Sequence, residues 1–165
     1  MPQFTRSSVK VADEVWIATA LLHQEHPDRA DFTVSEIVDR GRREAAEGEL
    51  RPSFHVHVIQ HCVANRAPNP ARYRMLTETR RGCRRLYRPG DRFHPARNGG
   101  KVMPDANEIP EKYLPLLQWH RSVYAGTVEP RPDEDSLLAL RGTGRSLWAD
   151  EHADEYVRRL REGWE

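Results

Sequence analysis

Between residues 9 and 88, three short stretches of helical apolar spacing are followed by two β-capable runs around a glycine, and that order admits few folds. The first helix is predicted over residues 9–26. Val11, Val15, Ala18 and Leu22 fall on one stripe, with Trp16, Ile17 and Leu21 widening it, and Pro27-Asp28 stops it. Trp16 reads as ordinary core. Phe32-Thr33-Val34 alternates apolar and polar, as a brief strand does. Thr33 followed by Glu36 has the spacing of a capping box, with Ser35 as the alternative cap. A second helix is therefore predicted over residues 35–46, with Ile37, Val38 and Ala45 inward; Gly41 weakens it and Gly48 ends it. Pro52-Ser53 opens a third helix running to about residue 64. Its buried face is assigned to Val56, Ile59 and Val63, and its outer face to His57, Gln60, His61 and Ala64, with Asn65 just beyond. After the stiff Ala67-Pro68-Asn69-Pro70 loop, residues 73–79 and 83–87 read as strands joined at Arg80-Arg81-Gly82.

Helix, short strand, helix, helix, hairpin is the order of a winged helix-turn-helix. The fold class expected is thus α+β, three helices plus a β-hairpin wing, with extra helices C-terminal to it. On this reading residues 1–101 form the winged-helix domain. Residues 102–125 add a helix, expected over 110–124, that packs on the domain or forms a dimer contact. Its apolar positions are Tyr113, Leu116, Leu117, Trp119 and Val123, and Pro115 within it points to a later start. Residues 126–136 (GTVEPRPDEDS) have the composition of a flexible linker, and residues 137–165 form a separate tail.

Charge is sorted along the chain. Residues 51–101 carry twelve Lys/Arg against two Asp/Glu, while residues 1–50 carry six against ten and residues 102–165 eight against thirteen, so a formal net charge of +1 conceals a basic middle third. Seven of those cations, at 72, 74, 80, 81, 84, 85 and 88, fall on the predicted hairpin or its flanks. A polyanion is the natural partner, because each neutralised phosphate releases counterions; a solvated charged surface is the ordinary alternative. In a winged helix the third helix enters the major groove of duplex DNA, where base edges are distinguishable. The residues expected there are Ser53, His57, Gln60, His61, Asn65 and Arg66. Gln60 has the donor–acceptor pair that matches an adenine edge, and the histidines can donate to guanine or phosphate. Arg80, Arg81, Arg84 and Arg85 are the wing candidates for phosphate, which position the protein without reading sequence. Arg74 and Arg88 fit a solvated strand face equally well. Tyr73 and Tyr87 leave RNA stacking open as a further reading, although strand aromatics are more often core.

No chemistry-bearing pattern competes with binding. There is no phosphate-cradling glycine loop and no zinc-protease helix motif, and Glu36, Asp39 and Glu44 read as solvated acids on a helix. No catalytic residue or cofactor is expected. His55, His57, His61 and Cys62 lack the paired ligands of a tetrahedral metal site, so no metal is expected either. Cys62 and Cys83 make no disulfide framework. The N-terminal segment lacks a signal-peptide pattern, and no apolar run is long enough to span a bilayer, so a cytoplasmic location with reduced thiols is expected.

The run HCVANRAPNPARYRML followed by RRLYRPGD is similar to a poorly characterised winged-helix domain family of bacteria and archaea, over about residues 9–100. The matching positions are His61, Cys62, Asn65, Pro68, Pro70, Tyr73, Arg74, Leu86, Tyr87, Arg88, Pro89, Gly90 and Asp91. The family occurs near restriction and other defence genes, and the resemblance implies no catalytic activity. The tail, LLALRGTGRSLWADEHADEYVRRLREGWE, resembles the C-terminal segment of antitoxins that neutralise PIN-domain ribonucleases. That resemblance implies a tail wrapped around a toxin, with Leu147, Trp148, Tyr156, Leu160 and Trp164 as anchors and Arg158, Arg159 or Arg161 near the toxin's carboxylates. A tail this short cannot bury two tryptophans by itself, so it binds a partner, pairs with another copy or folds back on its own domain. The function expected is sequence-specific binding of double-stranded DNA by a transcriptional regulator or antitoxin-like autorepressor. The alternative is a non-catalytic winged-helix interaction module in a defence or nucleic-acid-processing complex.

Overall fold

Helix α1 (Val11–Glu25) is buried on nearly every side. Val15, Trp16, Ile17, Ala18 and Ala20 have no exposed surface, and Ala12 and Thr19, off the predicted stripe, are buried too. The stripe anticipated one covered face. Instead, later elements pack around the helix from several directions, so its small residues are as enclosed as its large ones. The buried Thr19 hydroxyl is satisfied by donating to the Val15 carbonyl at 2.8 Å. This is a computed structural model of the 165-residue chain, and it describes residues 9–45, 48–68 and 71–126. Apart from Gly126, the linker and tail expected over 126–136 and 137–165 lie outside the described residues. So do the tail anchors Leu147, Trp148, Tyr156, Arg159, Leu160 and Trp164.

Strand β1 (Phe32–Thr33) leads directly into α2 (Val34–Glu44). The capping box is formed: Thr33 Oγ1 accepts from the Glu36 amide at 3.2 Å, and Glu36 Oε2 accepts from the Thr33 amide at 2.8 Å. The cap is Thr33 rather than Ser35, so the helix starts a residue earlier than predicted. Gly41 is required by packing. A Cβ there would lie 2.4 Å from Cζ of Phe54, whose ring is fully buried against α2.

Helix α3 (Phe54–Val56) runs on as one π-helical turn, His57–His61, in which the Cys62 amide donates to the His57 carbonyl at 3.0 Å. Phe54, Val58 and Cys62, spaced by four, are fully buried, whereas Val56 is 36 % exposed and Ala64 is buried rather than outward. The predicted inner face of Val56, Ile59 and Val63 is thus corrected: of the three only Val63 is in the core. The end of this helix is tied to the sheet, with the Ala64 amide donating to the Leu76 carbonyl at 2.7 Å.

The sheet is antiparallel and three-stranded, in the order β1-β3-β2, with β2 (Leu76–Arg80) and β3 (Cys83–Leu86) forming the hairpin. Leu76 faces Leu86 and Glu78 faces Arg84, while Phe32 pairs with Arg84 across the other side. Gly82 at the tip takes φ = 80°, open to glycine without strain. A last helix, α4 (Leu114–Trp119), continues as a π turn, His120–Tyr124. Pro115 falls in the first turn of α4, where its missing N–H costs nothing. Tyr113, Leu116, Leu117 and Tyr124 join Trp16 and Leu22 in one hydrophobic core. No helix among the described residues is long and apolar enough to cross a membrane.

Candidate nucleic-acid interface

The residues expected on the groove-facing side of α3 are largely occupied within the fold. The Ser53 carbonyl accepts from Nδ1 of His57 at 2.8 Å, and the His57 and His61 rings meet edge-on with centroids 4.8 Å apart. Burial lowers the pKa of His57. Gln60 Nε2 donates to the Ala67 carbonyl at 2.6 Å. Asn65 is exposed, yet its amide bonds β2 as a strand neighbour would: Nδ2 donates to the Glu78 carbonyl at 2.9 Å and Oδ1 accepts from the Glu78 amide at 3.0 Å. Arg66 forms a two-point bond with the Glu78 carboxylate at 2.8 and 2.9 Å. Within α3 and its π turn, the positions classed as exposed are His55 and Val56.

The hairpin tip is stapled to the start of α2. The Gly82 carbonyl accepts from the Val34 amide at 3.0 Å, Thr79 Oγ1 donates to Asp31 at 2.7 Å, and Arg80 pairs with Asp31 at 3.3 Å. Two expected wing contacts are corrected. Arg84 is a core residue with a side chain only 2 % exposed, bonded to Glu78 at 3.1 Å and to its neighbour's carbonyl, Cys83 O, at 2.9 Å. Burial lowers its pKa. Arg85 makes two 2.7 Å bonds to Asp91, which also accepts from Thr77 Oγ1 and from the Arg88 amide. Burial works against ionisation of Asp91, but the Arg85 guanidinium and the Arg88 amide hold its carboxyl below the usual range. Arg80, 71 % exposed, and Arg81, also exposed, remain at the surface of the tip.

Much of the charge sorted along the sequence cancels in space. Arg51 pairs with Glu14 at 2.8 Å, and Lys101 with Glu108 and with Asp13, the latter at 3.4 Å. Arg97, which no spacing or motif marks as special, is fully buried. Its guanidinium donates to five backbone carbonyls, those of Gln60, His61, Arg66, Ala67 and Tyr73, at 2.6–3.2 Å. It thereby clamps the loop after the hairpin onto the C-terminal end of the α3 π turn, where unpaired carbonyls carry negative partial charge. Arg74 lies over the Phe93 ring at 4.5 Å. Arg72, Arg81 and Arg92 are exposed and have no carboxylate partner among the described residues.

Among the described residues no group of three or more His, Cys, Asp or Glu side chains is placed to hold a metal ion. Cys62 and Cys83 are buried free thiols, and burial pushes the Cys62 thiol well above its ordinary value. Comparison of the chain with protein-family models, with curated proteins and with solved structures finds no match.

Proposed function

We propose that this chain is a non-catalytic, duplex-DNA-binding protein of winged-helix type that acts as a transcriptional regulator. The observation that carries the reading is a group of exposed arginines on the hairpin and its flanking loops: Arg72, Arg81 and Arg92, without a carboxylate partner among the described residues, and the loosely paired Arg80. Arg43 on α2 and Arg121 in the last π turn are exposed without such a partner too, but stand apart in sequence from this group. The element order and the β1-β3-β2 sheet are compatible with that plan. In this reading Arg72, Arg80, Arg81 and Arg92 contact phosphates, and Ser53, His55 and His57 at the start of α3 approach base edges. Gln60, Asn65, Arg66, Arg84 and Arg85 hold the platform rather than the ligand. The tail, with Trp148, Tyr156, Leu160 and Trp164, supplies the protein-binding part, and a PIN-domain ribonuclease is the partner class its sequence resembles.

Electrophoretic shift assays against double-stranded DNA, single-stranded DNA and RNA of equal length test the reading. Preference for the duplex supports it, and equal or stronger binding of either single strand contradicts it. The second reading is a protein-interaction module, favoured by the exposure of Val56 on α3 and by the internal neutralisation of Arg66, Arg84 and Arg85. Co-purification from the native host after nuclease treatment separates the two. A partner retained through α3, and lost on Val56→Asp with no duplex binding at low salt, favours the module.

A further inference from the structure

A second site lies away from the hairpin tip. The end of α1 and the π turn after α4 border a cleft of about 460 Å³, lined by residues that include His23, Arg29, Arg88, Trp119, Val123 and Tyr124. Its size is that of a small-molecule pocket. Its walls are aromatic: Trp119 and Tyr124 have centroids 5.4 Å apart, and His23 sits 4.7 Å from Tyr124. Val123, 52 % exposed, leaves an aliphatic side chain in water at the rim.

Two polar groups in this apolar setting are unmatched. The Arg88 guanidinium lies 4.3 Å over the Tyr124 ring, has no carboxylate partner among the described residues, and has a buried Nε with no acceptor. Arg29, by contrast, is already neutralised by Glu36 through bonds of 2.5 and 3.1 Å. A half-buried guanidinium without a counter-ion is an anion site. His23 adds a donor. Its Nε2 accepts from the Leu86 amide at 3.3 Å, which fixes the neutral ring with its proton on Nδ1, and that N–H has no partner among the described residues. Burial and the neighbouring Arg88 keep this imidazole uncharged, with a pKa lowered to about 3, so it donates one hydrogen bond without adding a second cation.

We propose that this cleft binds a small aromatic carboxylate, with its ring against Trp119 and Val123 and its carboxylate on Arg88 and the Nδ1–H of His23. Arg88 supplies the charge that selects an acid over its neutral analogue, and the aromatic wall selects a ring over a simple carboxylate. The site is independent of the DNA reading and uses none of the cations assigned to phosphate.

The test is calorimetric titration of the full chain with 2-naphthoate, alongside 2-naphthamide and acetate. The expected result is one saturable site for 2-naphthoate. The uncharged amide and the ringless acetate each bind at least about tenfold more weakly, the loss of one charge-assisted contact or of the stacking surface. Arg88→Gln weakens 2-naphthoate binding by about tenfold or more. Since Arg88 also packs on Tyr124, Val123→Glu provides a second variant at an exposed position. It sets a carboxylate at the rim and repels the ligand by a comparable factor while the circular dichroism spectrum is unchanged. Equal affinity for the amide, wild-type affinity in the Val123→Glu variant, or no saturation up to about 10 mM, the weak limit of specific small-ligand binding, overturns the proposal.

Discussion

Replacing Arg97 by methionine removes a buried cation whose five hydrogen bonds all end on backbone carbonyls. Bonds from a charged donor contribute roughly 1.5–3 kcal/mol each, so the set is worth roughly 7–15 kcal/mol before its cost is subtracted. That cost is the desolvation of a guanidinium with no exposed surface, several kcal/mol after relaxation. The expected net loss is about 4 kcal/mol, at the upper end of single-residue effects. Methionine fills similar volume, so the loss reads out carbonyls deprived of a charged donor rather than a cavity; the Ala67 and Gln60 carbonyls keep the Gln60 Nε2 and Val63 amide donors, while those of His61, Arg66 and Tyr73 lose the Arg97 bond. Urea unfolding followed by circular dichroism measures it: with a slope of about 2 kcal/mol/M, the midpoint falls by about 2 M. Arg97→Lys retains the charge but not the planar fork and falls between the two. Amide exchange gives a local check, since the His94 amide, which donates to the Ala64 carbonyl at 2.8 Å, loses protection first. A midpoint shift under about 0.5 M in Arg97→Met would refute the reasoning, because it would mean that water already satisfies those carbonyls.

Gly41→Ala lowers the melting temperature even though alanine is the better helix former. The added methyl meets the buried Phe54 ring, and overpacking of about 1–3 kcal/mol exceeds the helix-propensity gain of about 1 kcal/mol; a higher melting temperature in a thermal scan contradicts this. His23 gives a pH signature. Its folded pKa of about 3 lies below the unfolded value near 6.5, so the unfolded chain takes up the proton first. The stability it contributes is complete above about pH 6.5 and is lost as pH falls toward 3. Urea unfolding of the wild type and of His23→Gln, at pH 7 and at pH 5, should therefore show the wild type losing about 2 kcal/mol more than the variant over that interval. Equal losses would show that His23 is not held neutral. Asp91→Asn releases Arg85 and Thr77 together and destabilises the chain by about 2–4 kcal/mol, measured by the same unfolding, whereas a change under about 0.5 kcal/mol would mean the cluster is solvated.

Local signals were legible from the sequence. The Thr33/Glu36 box, the tip at Gly82 and the first-helix apolar positions depend on residues a few places apart, and each is found where spacing put it or within two residues. The face of α3 was not legible, because Phe54, Val58 and Cys62 make an apolar stripe of helical spacing just as Val56, Ile59 and Val63 do, and only tertiary packing decides which one is buried. Nor was the fate of the arginines. Their number is plain in the sequence, but their partners are remote: Arg51 finds Glu14, Arg80 finds Asp31, and Arg97 reaches back to Gln60 and His61. Periodicity carries no information about such pairs. The Asn65 amide that completes the β2 edge, and the unpaired Arg88 above Tyr124, are likewise products of tertiary closure.

The salt dependence of duplex binding tests the account's main claim most directly. Four phosphate contacts give a slope of log affinity against log salt of about −3.6, a loss of roughly a hundredfold between 50 and 200 mM. Fluorescence anisotropy with a labelled duplex should give that slope for the wild type and about −1 for a triple Arg72→Ala, Arg81→Ala, Arg92→Ala variant that retains its melting temperature. An unchanged slope in the folded triple variant, or no duplex binding at the lower salt, would contradict a phosphate-contacting hairpin.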